Sequence, residues 1–470
     1  MSDLIEQKEL DELYQDSEYW HIDFGEKTVH AKRMDGRFRK IKWIIALIYI
    51  PYFIGPYLRW EGEQAILFDI PARKFHLFGL HIWPQEVWIG ALLLIVFFLT
   101  LHAATMVFGR VFCGYICWQT VWVDVYTWIE DKLEGPPAVR IKLDAAPLSL
   151  KKIKVKAIKH TIFILLGFVT GISFVSYFID VYEMWGYYFT FSGPEELWMT
   201  PIPFAIGSYL SVAFMREQTC FWLCPYARIQ GVMTDEDTIL PTYNLRRGEP
   251  RTKIKQSPAQ PLEKAGDCID CNLCVAVCPT GIDIRHGQQE GCITCGLCID
   301  ACNSIMEKID RPKDLISYMS LRTLLGHAET PIYKRTRFII YSVLLLILWG
   351  GVLWGTLNIN PLTLTVIRER QPLYVRLSEG SIQNKYTLKI ANKSETSMRL
   401  ILDMSGIEKV HLQLSPSDII IPPGSLKTFT AFVRSFESDY GGGSVPLYFS
   451  VKTALDPDVN AKYKTVFIGP

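Results

Sequence analysis

Cysteine is absent from residues 1–112 and again from residues 303–470; all 12 cysteines of the 470-residue chain fall between Cys113 and Cys302. A disulfide framework shared among all parts of the chain is therefore excluded. A charge of one sign is missing as well, since 49 Lys and Arg face 48 Asp and Glu and leave a formal net charge of +1. That balance gives no footprint for nucleic acid or for an acidic partner. The first 40 residues are strongly charged and have no short apolar core, which reads against a cleaved leader peptide. Lys and Arg are lacking altogether from 180–197, "DVYEMWGYYFTFSGPEEL". No flavin or nicotinamide motif is recognisable, so the sequence names no electron donor.

What is present is apolar. Hydrophobic residues make up 49% of the chain and the mean hydropathy is +0.15, high for a soluble protein. They gather in five windows at 41–58, 87–108, 161–179, 198–215 and 338–357. Each is close to the ~20 residues that cross a bilayer core. Pro201 and Pro203 break the start of the fourth. Basic residues precede the first window ("KRMDGRFRKIK") and fill the 109–160 and 216–337 connections, whereas 180–197 has none. Arg59, Arg73 and Lys74 in the 59–86 connection are a mild counter-signal. The positive-inside rule then predicts a five-span membrane protein. Its segments are a cytoplasmic 1–40, spans one to four within 41–215, an inner 216–337 domain, span five at 338–357, and an outer 358–470 domain.

Under this topology every cysteine lies on the inner side or at the inner end of a span, where thiols stay reduced. Eight of them read "CIDCNLCVAVCP" and "CITCGLCIDACN", two runs of C-x2-C-x2-C-x3-C. Three closely spaced thiolates wrap three corners of a cubane, and the fourth corner is reached from the other run. The spacing assigns one [4Fe–4S] cluster to Cys268, Cys271, Cys274 and Cys302. A second goes to Cys292, Cys295, Cys298 and Cys278. Tetrahedral zinc does not require two such compressed repeats. The inner domain thus reads as a two-cluster ferredoxin that passes single electrons.

The other four cysteines form two C-x3-C pairs at the inner membrane edge: Cys113 and Cys117 in "RVFCGYICWQTVW", and Cys220 and Cys224 in "TCFWLCPYARIQ". On a continuous helix, the two members of a pair would share a face one turn apart. Four readings stand open: small apolar packing residues, a redox dithiol, a copper clamp, or iron–sulfur ligands. The repetition favours function. His102 in span two and His160 at the start of span three are further metal candidates, since ionisable groups within a membrane are functional by default. The outer His76 and His81, and Met106 and Met233, are weaker ones. Trp118, Trp122, Val125, Ile129 and Leu133 recur at helical spacing, with Asp124, Glu130, Asp131 and Lys132 mainly elsewhere. This reads as an amphipathic helix at headgroup level, or else as a core-packing one.

Residues 358–470 change to short alternating runs separated by turn residues, as in an immunoglobulin-type sandwich of seven or eight strands. Gly167/Gly171 and Gly351/Gly355 make small-residue seams on spans three and five, for contact within a chain or between two copies in a homodimer.

The stretches "DGRFRKIKW", "FDIPARKFHLFGLHIWPQ", "FCGYICWQTVW", "CFWLCPYARIQ" and "CIDACNSIMEKIDRPKDLISY" together resemble the cytochrome c oxidase accessory protein family, called CcoG, FixG or RdxA. The likeness runs from about residue 30 to the end. One departure is Trp118, where family members commonly have Pro after the second cysteine. The resemblance implies a bacterial inner-membrane polyferredoxin and cupric reductase. Copper would be substrate or transient ligand at Cys113, Cys117, Cys220 and Cys224. It also implies work with copper chaperones and assembly factors of cbb3-type cytochrome oxidase. The competing expectations are a quinol-linked electron-transfer polyferredoxin of a respiratory chain, and a non-catalytic assembly scaffold.

Overall fold

The computed structural model describes residues 29–469 apart from 72–73, 79, 83–85, 252–265, 290, 395, 408–409, 416–418, 437–443 and 455–458. Most of the 1–40 segment and the expected turns at 441–443 and 456–458 lie outside the described residues, as does the side chain of His81. The chain divides into two compact units, Met1–Val352 and Leu353–Pro470.

Among the described residues, four helices are long and apolar enough to cross a membrane: Val87–Phe108, Leu150–Val175, Glu195–Met215 and Thr336–Leu357. The first expected span differs, because 41–58 is no single helix. It runs as Arg37–Ala46, a 3₁₀ turn Leu47–Tyr49, a short helix Ile50–Ile54 and a second 3₁₀ turn Gly55–Tyr57. Pro51 and Pro56 each lack the N–H that would continue the ladder, and each comes to rest in the first turn of a new piece. Ile44, Leu47, Ile48, Ile50 and Ile54 along it are exposed, as on a lipid-facing surface. Pro201 acts the same way in the fourth span, which restarts at Pro201–Tyr209 and widens to a π-helix over Leu210–Met215. The third begins earlier than expected, at Leu150, where the Ser149 hydroxyl accepts the Lys152 N–H at 3.2 Å.

Small residues set the approach of the third and fourth spans. A Cβ on Gly167 would lie 2.9 Å from the Ala205 carbonyl oxygen, and one on Gly171 would lie 2.8 Å from that of Pro201. This seam is therefore used within the chain. A Cβ on Gly351 would meet only Leu92, at 3.7 Å.

The connections are more ordered than expected. Residues 59–86 carry a three-stranded antiparallel sheet, Ile66–Asp69, Lys74–Leu77 and Leu80–Ile82. Residues 180–197 include a helix, Val181–Thr190, capped by Asp180. The buried Gln64 joins the two connections, donating to Ser176 O at 2.7 Å and accepting from the Val181 N–H at 2.9 Å.

The helix Trp118–Leu133 follows the core-packing reading rather than the interfacial one, because Asp124 and Glu130 face inward. Glu130, 2% exposed, pairs with Arg140 at 2.9 Å, Lys159 at 3.5 Å and Arg216. Glu134 pairs with Lys156 and Lys159, both at 2.9 Å. Asp124 pairs with Arg39 at 3.0 Å and Lys42 at 2.5 Å. Burial alone would push the Glu130 carboxyl up, yet Arg216, Lys159 and Arg140 together hold it below the ordinary value. This helix packs into the protein through a charge network that ties the 109–160 connection to the segment before the first window.

The cysteine-rich segment builds its own small core from Tyr243, Ile284, Ile299, Met306, Leu315 and Ile316. A strand pair, Leu240–Tyr243 with Ile316–Met319, closes the segment on itself. The second unit is a two-sheet sandwich. One sheet orders Val410–Ser415, Ser425–Ser435, Ile382–Asn392 and Leu362–Arg368, with Val375–Arg376 pairing onto Ile382–Asn392. The other orders Ile419–Ile421, Met398–Ser405, Ser444–Thr453 and Asn460–Ile468. Alternate residues such as Tyr386, Leu388 and Ile390 face Leu447, Phe449 and Val451 in one core. Nine strands thus stand among the described residues, where seven or eight were expected. Val375–Arg376 and Ile419–Ile421 are too short to carry an alternation signal.

Candidate iron–sulfur and thiol sites

The two cysteine runs repeat in backbone as well as in spelling. In Cys268–Cys274 the third and fifth residues, Asp270 and Asn272, have φ of 50° and 55°. In Cys292–Cys298 the equivalent Thr294 and Gly296 have φ of 56° and 71°. Left-handed residues at these places curl each loop so that successive N–H groups line a concavity fit for negative charge. The Thr294 N–H points to the Cys292 sulfur at 3.4 Å. A helix then starts at Leu273 in one run and at Leu297 in the other.

Each loop lines a cavity, of roughly 360 and 350 Å³ with their open sides included. Cys268, Cys271, Cys274 and Cys302 line the first, beside Tyr243 and Arg285. Cys278, Cys292, Cys295 and Cys298 line the second, where Cys274 also reaches the wall. In each the fourth thiol comes from the other run. Burial pushes the Cys274, Cys292 and Cys302 thiols up to about 12, so they stay protonated at neutral pH unless iron displaces the proton. Curled loops, cavities and all-thiol walls fit a cubane cluster in both places. Among the described residues no three His, Cys, Asp or Glu converge tightly enough to hold a single ion.

The membrane-edge pairs share one local build. Cys113 lies in the short helix Val111–Tyr115, the chain breaks at Ile116, and Cys117 caps the helix Trp118–Leu133. Cys220 lies in the π-turn Thr219–Leu223, and Cys224, in extended conformation, caps the helix Pro225–Met233. The expected single helical face is therefore replaced in both pairs by a break before the second cysteine. Trp118 takes the first helical position that Pro225 takes in the other pair, a place where proline is favoured but not required. The two motifs are structural equivalents despite the Trp.

Cys113 and Cys220 each lie near thiols of both pairs. Cys113 feels Cys117 and Cys224, and Cys220 feels Cys117, Cys113 and Cys224. Burial pushes Cys113 up to about 11 and Cys220 up to about 12. The Cys113 S–H donates to Gln230 Oε1 at 3.1 Å, and Gln230 Nε2 donates to Thr105 Oγ1 at 3.1 Å. Gln230 carries no spacing signal in the sequence; it stands five residues after Pro225 in the helix Pro225–Met233.

This thiol group is seated on the second iron–sulfur loop. Cys113 packs in one apolar cluster with Ile293, Cys295 and Leu297. A Cβ on Gly114 would lie 2.3 Å from Ile293 O and 3.2 Å from Cys295 Cα, so only glycine allows this approach. The Tyr115 hydroxyl donates to Cys295 O at 2.9 Å, and the Arg110 N–H donates to Thr294 Oγ1 at 3.1 Å. From the other pair, Phe221 lies over Gly291.

The histidines are engaged elsewhere. His102 Nδ1 is 2.6 Å from Phe98 O in its own helix, and His160 Nδ1 is 2.9 Å from the Tyr209 hydroxyl. His76 pairs with Glu63 at 2.8 Å. In both rings the hydrogen bond is made by Nδ1. Met106 is buried in the core, 2% exposed.

The chain is similar to known iron–sulfur proteins. A family model described as "4Fe-4S binding domain" matches residues 90–136, and one described as "4Fe-4S dicluster domain" matches 215–321. Residues 352–470 match the IG-like fold at the C-terminal of FixG. The chain is 36% identical over 425 residues to nitrogen fixation protein FixG of Rhizobium meliloti, covering 83% of this chain and 81% of that one. It is 39% identical over 392 residues to protein RdxA of Cereibacter sphaeroides, covering 80% and 82%. With protein RdxB of the same organism it shares 38% over 419 residues, covering 85% and 87%. A crystal structure of a FixG-related protein from Vibrio parahaemolyticus aligns with 24% of this chain and 98% of its own, at 21% identity and a TM-score of 0.22.

Proposed function

The chain belongs to the FixG, RdxA and RdxB family of iron–sulfur proteins, and from that premise we propose that it reduces Cu(II) to Cu(I) at the membrane edge. The observation that carries this reading is the packing of Cys113, which lies near the other three membrane-edge thiols, against Ile293, Cys295 and Leu297 of the Cys292–Cys298 loop. Cys268, Cys271, Cys274 and Cys302 hold one [4Fe–4S] cluster, and Cys292, Cys295, Cys298 and Cys278 hold the other. When bound, such clusters supply electrons one at a time, and reducing one Cu(II) to Cu(I) consumes one.

The chain's residues do the rest. Thiolates are soft ligands that favour Cu(I) over the borderline Cu(II). The buried thiols release protons as the metal binds. Gln230 fixes the Cys113 rotamer through its hydrogen bond.

In this reading the protein lies in a bacterial inner membrane with five crossings, the broken 41–58 segment being the first. The iron–sulfur segment is cytoplasmic and the sandwich periplasmic. Electrons come from a low-potential one-electron donor, and Cu(I) leaves for copper chaperones that serve assembly of cbb3-type cytochrome oxidase.

The test is Cu(II) reduction by anaerobically purified protein under reduced viologen, with the four membrane-edge cysteines changed to serine. Loss of reduction with iron content unchanged is expected. Wild-type rates would overturn the proposal. Quinol oxidation indifferent to copper would support a respiratory electron carrier in its place.

A further inference from the structure

A cavity apart from the sulfur sites lies where four parts of the chain meet. Its volume is roughly 370 Å³ with the open side included, and its polar lining comes from Arg33, Arg39, Asp124, Thr127, Arg216 and Glu217. Val277 and Pro279, on either side of Cys278, form another wall. The segment before the first window, the helix Trp118–Leu133, the residues after the fourth span and the first cysteine run thus all reach one space.

The lining holds more positive charge than its carboxylates answer. Asp124 divides its two oxygens between Arg39, at 3.0 Å, and Lys42, at 2.5 Å. Arg33 Nη1 donates to the Asp124 backbone carbonyl at 3.0 Å rather than to its carboxylate. Arg216 pairs with Glu130, a carboxylate that Arg140 and Lys159 also share. Glu217 is 8% exposed, and burial pushes its carboxyl up, toward the neutral form. Arg39 is 6% exposed, and among the described residues its Nε has no hydrogen-bond partner. A buried guanidinium N–H without an acceptor is costly, and in native proteins such a group calls for a bound ion or water.

We propose that this cavity binds a phosphate-type oxyanion, with Arg39 as its anchor and Arg33 and Arg216 as flanking cations. Guanidinium groups present planar, paired donors that match phosphate oxygens. The Thr127 hydroxyl and a neutral Glu217 add uncharged donors to the same space. A tetrahedral oxyanion is smaller than a cubane, and this cavity is as large as the two that fit clusters. Arg216 follows directly on the span that ends at Met215, so the cavity stands at the membrane edge. The oxyanion is therefore inorganic phosphate or the phosphate of a lipid headgroup, which basic pockets between spans recognise. Bound there, it balances the excess charge and ties the wall at Val277 and Pro279 to the membrane segments. This inference does not depend on the copper reading.

The experiment uses the full-length, cluster-loaded protein, delipidated in detergent. Its thermal midpoint is followed as inorganic phosphate is added at constant ionic strength. Wild type, Arg39→Gln, Arg33→Gln and a change at an exposed lysine, Lys154→Gln, are compared. A saturable rise is expected in wild type and in Lys154→Gln. Arg39→Gln and Arg33→Gln should weaken the apparent phosphate affinity about tenfold or more. Native mass spectrometry after reconstitution with phosphatidylglycerol is the second arm. A lipid kept by wild type through delipidation and lost by Arg39→Gln, with no response to inorganic phosphate, assigns the site to a headgroup. Should Arg39→Gln fail to fold, Arg33→Gln decides by the same criteria, because it leaves the Arg39–Asp124 pair in place. Phosphate or lipid binding equal in wild type and the arginine variants would overturn the inference. So would a wild type that neither responds to phosphate nor retains the lipid.

Discussion

The Asp300 carboxylate caps the helix that begins at Arg37. Its Oδ1 accepts the Arg37 N–H at 3.1 Å, and its Oδ2 accepts those of Phe38 and Arg39 at 2.8 and 3.3 Å. Helix N-termini carry orphan N–H groups, and here they are satisfied from 263 residues away, by a residue inside "CIDAC". Asp300→Ala should therefore weaken the grip between the iron–sulfur segment and the chain entering the first window. The expected loss is about 1–2 kcal/mol, as for other caps. Thermal unfolding in detergent should show a lower midpoint, with Asp300→Asn intermediate.

Glu130 is the second place to press. Removing its charge leaves Arg140, Lys159 and Arg216 buried around a neutral group, which costs roughly 3–5 kcal/mol for such networks. Glu130→Gln should reduce the yield of folded protein in a size-exclusion profile more than Asp131→Asn on the same helix. The pH dependence follows from the direction of the shift. A carboxyl held below its unfolded value contributes fully above that value and loses the contribution only as pH falls through the depressed one. Acid loosening of this network should thus begin below about pH 4, under the ordinary glutamate range.

The crossed ligand sets make an experiment that sequence order alone would misjudge. Cys278 is spelled with the first run but lines the cavity of the second. Cys278→Ser should deplete the cluster signal of the second site and preserve that of the first. Cys302→Ser should do the converse. Iron analysis with paramagnetic-resonance spectra of each variant checks it, and equal loss of both signals in both variants would count against the crossing.

The glycine seams separate by the same logic. Gly171→Val places a branched side chain against the Pro201 backbone and should scatter the third and fourth spans, seen as loss of monodisperse protein. Gly351→Ala meets only Leu92 and gains up to about 1 kcal/mol of helix propensity, so folding should hold or improve.

Much of this arrangement was legible from spelling. Long apolar windows, two cysteine runs and an alternating tail each have a period or spacing that physics ties to one structure, and the family follows from those stretches. What escaped was set by contacts distant in sequence. Glu130 looks like a solvated helix face until Arg140, Lys159 and Arg216 are brought round it. Gln64, Gln230, Arg110 and Asp300 are ordinary polar residues whose partners lie between about 110 and 260 positions away. The break in the first window was written in Pro51 and Pro56, but apolar content outweighed them in the reading. The helical-face argument for each C-x3-C pair failed because the second cysteine takes the non-helical N-cap position of a new helix, a place that spacing does not encode.

The contact of Arg110 with Thr294 spans 184 residues, and this orders events at the ribosome. At about 5–20 residues per second, the first thiol motif waits roughly 10–40 s in the nascent chain before its seat at 291–298 exists. Throughout that interval Cys113 and Gly114 have no loop to close over them. The segment 216–337 cut out alone would carry the matching bare face of Ile293, Cys295 and Leu297 into solution. Closure of the first thiol motif over 291–298 therefore cannot precede synthesis of that later segment.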